Sequence, residues 1–100
     1  TVIRVVLPYL LRRLAGIDEV EIELSIEAPV TQRSIIGAVE EHFPMLKGTI
    51  RDQVTQIRRP YLRFLACGED LSHENPDTLV PNPVAKGEEP FHVVGAMSGG

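Results

Sequence analysis

The stretch Val20 to Glu27, VEIELSIE, constrains the fold more than any other. Val20, Ile22, Leu24 and Ile26 alternate with Glu21, Glu23, Ser25 and Glu27, the period of an extended strand with one face in a core and the other in water. A helix would scatter these apolar side chains around its circumference, so the chain contains a sheet covered on one face only. This strand needs a neighbour. The opening VIRVVL, Val2 to Leu7, is β-branched and almost continuously apolar, which predicts an interior strand flanked on both sides. Pro8 ends it. In the following LLRRLAG, Leu10, Leu11 and Leu14 stand at near-helical spacing before Gly16, and the segment reads as a packed loop or short irregular turn joining an antiparallel pair.

A single helix follows. Ala28 and Pro29 stop the second strand, Thr31 is a favourable N-cap, and QRSIIGAVEEHF runs to the barrier at Pro44. Ile36, Val39 and Phe43 share one face, with Ile35 and Ala38 beside them. Gly37 in mid-helix, at a cost of about 1 kcal/mol relative to Ala, points to close packing against the sheet. Residues 45–59 carry Leu46, Ile50, Val54 and Ile57 at three-to-four spacing but also Gly48 and two threonines, which leaves a short helix or an ordered loop. A third strand is expected in PYLRFLA, with Tyr61, Arg63 and Leu65 on one face and Leu62, Phe64 and Ala66 on the other. CGED then makes a tight turn. Pro76, Pro81, Pro83 and Pro90 mark a long surface connection, and FHVV is a last strand in need of pairing.

The order is therefore β, β, α, β, loop, β, within one domain over residues 1–100. Laying the two most apolar strands, the first and the last, side by side in parallel gives an α+β fold: a mixed sheet of four to five strands wrapped around one main helix. That arrangement is the β-grasp.

With 100 residues and 43% hydrophobic content, the chain is long enough to bury roughly two thirds of its unfolded surface. A formal net charge of -4 argues against a nucleic-acid partner. The one cysteine, Cys67, excludes an internal disulfide framework, suits a reducing, cytoplasmic setting, and is read as a core residue. No stretch approaches the length of a membrane span, so no membrane partner is expected.

Few residues offer chemistry. His42, His73 and His92 lack the spacing of a metal site, and nothing local joins any of them to Cys67 as nucleophile and base. Neither a bound metal nor a permanently bound cofactor is expected, and no catalytic set of an enzyme emerges. On the third strand, Tyr61, Arg63 and Leu65 form a face of the composition favoured in partner docking. The C-terminal VVGAMSGG holds the remaining candidate: extended at ~3.4 Å per residue, Ala96 to Gly100 would reach about 17 Å, enough to enter a buried site on another protein. Glycine suits such entry because it has no Cβ to block a narrow channel.

The sequence resembles the ubiquitin-like sulfur-carrier family, which includes the small subunit of molybdopterin synthase and the thiamine-pathway and cysteine-pathway carriers. The resemblance spans the whole chain. It rests on the opening strand, on RRLAG at Arg12 to Gly16, on the helix from Thr31 to Phe43 and Pro44, on KGEEPFHVV, and on the terminal Gly99 and Gly100. It implies a flexible Gly-Gly tail over residues 96–100 whose Gly100 carboxylate is adenylated by a partner resembling ubiquitin-activating enzymes, with ATP consumed by that partner. A persulfide sulfur donor then leaves a thiocarboxylate for a downstream acceptor enzyme in molybdopterin, thiamine or cysteine biosynthesis. Gly100 carries the chemistry, Gly99 permits entry, and Met97 and Ser98 line the approach. Two alternatives remain open: a protein modifier joined to lysines through Gly100, and a non-catalytic β-grasp module docking through Tyr61, Arg63 and Leu65.

Overall fold

In the computed structural model, which describes residues 1–95, the alternation read from the sequence becomes a sheet with two unlike faces. Strand β1 (Val2–Val6) pairs antiparallel with β2 (Glu21–Ser25), in the register Val2 to Ser25 through Val6 to Glu21. Strand β5 (Phe91–Gly95) lies beside β1 in parallel, with Val5 opposite Phe91 and Val6 opposite His92. On its other side β5 runs antiparallel to β3 (Leu62–Ala66), which turns back into the short β4 (Glu69–Asp70). The five-stranded order is β2-β1-β5-β3-β4, so the first and last strands are central, as their continuous apolarity required.

Helix α2 (Gln32–His42) covers the inner face. Thr31 caps it as expected: its Oγ1 accepts the Ser34 N–H at 3.1 Å while the Ser34 hydroxyl accepts the Thr31 N–H at 2.8 Å, a reciprocal capping box. Ile35, Ile36 and Val39 turn inward to meet Ile3, Val5, Phe64, Phe91 and Val93 in one continuous core. The Phe64 and Phe91 rings lie 5.5 Å apart at a tilted angle, within the favoured range for aromatic pairs.

Four expectations are corrected. The leucine-rich connection is a helix, α1 (Tyr9–Ala15), entered from Pro8 and closed by Gly16 at φ 69. Of its leucines only Leu11 packs inward, while Leu10 and Leu14 are exposed, so the apolar spacing misrepresents the buried face. Gly37 does not lie against the sheet. A Cβ there would meet the Arg51 Nη2 at 3.7 Å, so the close neighbour is a loop guanidinium. The third correction concerns Cys67, which is exposed rather than in the core. Cys67 (φ 53) and Gly68 (φ 77) form the two-residue turn between Ala66 and Glu69, and both positive φ values are those a tight hairpin requires.

The fourth is the long connection after β4. It sends Val80 and Val84 into the core, the latter from the one-turn helix α3 (Asn82–Ala85). Gly87 then passes so near β1 that a Cβ would lie 2.7 Å from the Val2 carbonyl oxygen, and its φ of +76 also favours glycine. Residues 45–59 settle as an ordered loop after a 3₁₀ turn at Pro44–Leu46. Leu46 and Ile50 are buried, whereas Val54 and Ile57 project outward. The Asp52 carboxylate holds the loop by accepting the N–H groups of Val54 and Thr55, both at 2.8 Å.

Candidate functional site

The strand period that buries Ile3, Val5, Phe64, Phe91 and Val93 turns their alternate neighbours onto the open face of the sheet. Register then decides which of them meet. Val6 stands opposite His92, and His92 opposite Leu65, so three strands contribute one half-buried row. Val94 lies opposite Arg63 in the adjoining row. The open face therefore has an apolar centre interrupted by one imidazole.

Ion pairs flank that centre on both sides. On the β1–β2 side, Arg4 Nε and Nη2 donate to the two carboxylate oxygens of Glu21 at 2.9 and 3.0 Å, the bidentate geometry a guanidinium favours. Arg4 Nη1 also donates to the carbonyls of Gly87 and Glu88, tying the sheet to the segment that leads into β5. The hydrogen bond from Arg4 holds the Glu21 carboxyl below its usual range. On the other side, Arg63 Nη1 lies 3.3 Å from Asp70 Oδ2. The Asp70 carboxyl is lowered first by its hydrogen bonds from Ser72 and then by the Arg63 charge.

The residues expected to dock a partner are placed unequally. Arg63 and Leu65 share the open face, with Arg63 exposed and Leu65 half-buried. Tyr61 precedes β3 by one residue; it is 47% exposed, and its hydroxyl donates to the Thr49 carbonyl at 3.1 Å. It stands at the rim, held to the loop before the strand. Val6, His92 and Val94 belong to the same surface and were not singled out from the sequence. Period-2 alternation in VIRVV and FHVV contains the signal, but the parallel pairing that joins the two strands is a long-range fact.

The other candidates, Met97, Ser98, Gly99 and Gly100, lie outside the described residues. What precedes them is well defined. Gly95 is the last residue of β5 and pairs with Leu62, the first residue of β3. The chain thus leaves the middle of the sheet at the end where Tyr61 and the Arg58–Arg59 pair lead into β3. Five residues beyond that point remain to Gly100.

A mixed sheet in which the first and last strands lie centrally and in parallel, with one main helix across it, matches known structures over nearly its whole length. The crystal structure of small archaeal modifier protein 1 from Haloferax volcanii superposes with a TM-score of 0.74 at 14% identity, covering 100% of both chains. The fold is the ubiquitin-like β-grasp. The β-grasp chain is similar also to the solution structure of small archaeal modifier protein 1 from Methanosarcina acetivorans, with TM-score 0.70, 22% identity and coverage of 100% of this chain and 97% of that one. A chain of the Amycolatopsis orientalis BexX/CysO complex gives TM-score 0.72 at 19% identity, over 97% of this β-grasp chain and 98% of its own. No protein-family model matches the sequence, and no curated protein does. Among the described residues, no helix is long and apolar enough to cross a membrane.

Proposed function

We propose that this protein is a ubiquitin-like sulfur carrier whose working group is the carboxylate of Gly100. The observation that carries the reading is the position of β5: a strand locked between β1 and β3 leads directly into Ala96-Met97-Ser98-Gly99-Gly100. Strand pairing continues to Gly95, the residue before that segment. The likeness over nearly the whole chain to one chain of the BexX/CysO complex supports a carrier that works with a partner enzyme.

In this reading a partner activating enzyme transfers AMP from ATP to the Gly100 carboxylate, releasing pyrophosphate and making the acyl carbon electrophilic. The terminal sulfur of a donor persulfide attacks that carbon and AMP departs. A thiol then cleaves the resulting acyl disulfide, leaving the thiocarboxylate on Gly100 and a disulfide on the donor side. The thiocarboxylate sulfur is a soft nucleophile for a downstream acceptor enzyme in cofactor or cysteine biosynthesis. Gly99, without a Cβ, fits a narrow channel, and Met97 and Ser98 contact its walls. The protein supplies no catalytic group of its own; it is the substrate of each step. The open face of Val6, Leu65, His92 and Val94, with Arg63 and Tyr61 at its margin, docks the partner that receives the tail.

A second reading has its own support, since two of the similar structures are named modifier proteins. There the acyl-adenylate is attacked, through the activating enzyme, by a lysine amine, and an isopeptide bond forms at Gly100. One experiment separates the two. The protein is incubated with ATP, an activating enzyme and a persulfide donor, and its intact mass is measured. Exchange of oxygen for sulfur on the C-terminal residue supports the carrier; lysine-linked adducts support the modifier. If neither product forms while the activating enzyme turns over its own partner, both readings fail, and a docking module remains.

A further inference from the structure

On the helix side of the sheet, remote from the open face, a recess of about 390 Å³ opens between the first turns of α2, the loop 51–58 and the segment after β4. Its size lies at the lower end of small-ligand sites. Ile36 and Phe64, both almost fully buried, contribute its apolar floor, and Ile57 stands at its margin. Three guanidinium groups, those of Arg33, Arg51 and Arg58, line the walls.

These cations are held in place but not equally satisfied. Arg33 is paired with Asp77 at 2.7 Å and also donates to the Gln56 side chain. Arg51 grips Glu40 through Nε and Nη2, with its closest approach at 2.9 Å, and its Nη1 has no protein acceptor among the described residues. Arg58 meets no carboxylate among them. Its Nε donates to the Ser72 carbonyl and its Nη1 to the carbonyls of Arg59 and Leu62, leaving Nη2 without a protein acceptor among the described residues. Three backbone carbonyls therefore fix a full positive charge beside an apolar floor and leave one nitrogen of the guanidinium, Nη2, available. A fixed guanidinium nitrogen that faces no carboxylate suits a single carboxylate oxygen through a charge-assisted hydrogen bond. Glu74 on the same wall disfavours ligands with several negative charges.

We propose that this recess binds a single carboxylate carried on a small apolar body, with the carboxylate on Arg58 and the apolar part against Ile36 and Phe64. Such a group is found on a free organic acid and at the carboxyl end of a polypeptide. The site stands apart from the sheet's open face, so it remains accessible when that face is covered.

The test is an amide-resolved NMR titration of the full chain with N-acetylleucine, N-acetylleucinamide and the pentapeptide Ala-Met-Ser-Gly-Gly, whose sequence is that of residues 96–100. The acid is expected to shift the amides of Gln32, Arg33, Gln56 and Ser72 saturably, with a dissociation constant in the millimolar range suited to so small a ligand. The amide should not. Tighter binding of the pentapeptide identifies a chain terminus as the natural source, and tighter binding of N-acetylleucine a free acid. Arg58→Gln should abolish binding. Because that change also frees three carbonyls, Ile57→Asp provides the second arm: the residue is 68% exposed, and a carboxylate there should weaken the acid about two- to fivefold through like-charge repulsion screened by water. Equal binding of acid and amide, absence of a saturable shift, or indifference to Ile57→Asp overturns the proposal.

Discussion

The two faces of the sheet are built by the same strands with alternate residues, yet they do different work. Inward, Ile3, Val5, Phe64, Phe91 and Val93 are each at most 4% exposed and form one core with α2. Outward, Val6, Leu65, His92 and Val94 are only half-buried, with Arg4 and Arg63 anchored beside them by carboxylates. The inner face holds the fold; the outer face leaves apolar area uncovered that another molecule can use. The sharpest way to break this division is Phe91→Ala. Phe91 is fully buried at the point where β5 meets β1, so its loss removes the ring's transfer energy and leaves a cavity. A destabilisation of about 3–5 kcal/mol is expected, a large part of the total for a small domain. Urea unfolding monitored by circular dichroism measures it, and a loss under about 1 kcal/mol would mean that the core collapses around the gap.

The same strands offer the complementary change. Leu65→Ser alters a half-buried side chain on the open face, one residue from buried Phe64 and Ala66. Its expected stability cost is about 1 kcal/mol or less, while KM for the activating enzyme should rise about tenfold, the equivalent of one lost apolar anchor. Unfolding and ATP–pyrophosphate exchange, measured on one preparation, give the two numbers. If stability falls as far as in Phe91→Ala, the two faces are not separable; if KM is unchanged, the open face does not receive the partner.

The division between faces was legible in the sequence because it is local. Ile22, Leu24 and Ile26 turn inward at every second residue, although Val20, expected to lead that set, lies ahead of β2 and is 59% exposed, and Thr31 caps α2 through neighbours three positions away. Residues whose environment is set by distant parts of the chain were not. Val80 and Val84 sit among turn residues and prolines, which hid their place in the core, and Leu10 and Leu14 carry a helical spacing without being buried. Cys67 illustrates the same limit, since its type suggests burial while the hairpin turn places it in solvent. For the docking surface, Arg63 and Leu65 could be read from one strand. Their neighbours His92 and Val94 required the pairing of β5 with β3, a contact across roughly thirty residues that no local pattern encodes.

Acid titration probes the division most gently, through the carboxylates that anchor the outer face. Glu21 is lowered by its hydrogen bonds from Arg4, and Asp70 by hydrogen bonds from Ser72 and the charge of Arg63. A carboxyl whose pKa is lower folded than unfolded stabilises the protein above its unfolded value, near about 4. That stabilisation is lost as the pH falls through the lower folded value. The raised pKa of Arg4 has the opposite sign: its contribution is complete throughout the acid range and is lost only in strong alkali. Melting temperature should therefore be nearly level from pH 7 to about 5 and decline below about 4, where the unfolded carboxylates begin to take up protons. Arg4→Gln should shrink the part of the decline that belongs to Glu21, with Asp70 continuing to respond. Side chains about one third exposed, 32% and 35% for Arg4 and Glu21, are screened by water and salt, so the change should be small and should diminish further as salt is added. An acid decline as steep in Arg4→Gln as in the parent would assign the acid sensitivity to other carboxylates, Asp52 and Asp77 first, whose pKa values are also lowered.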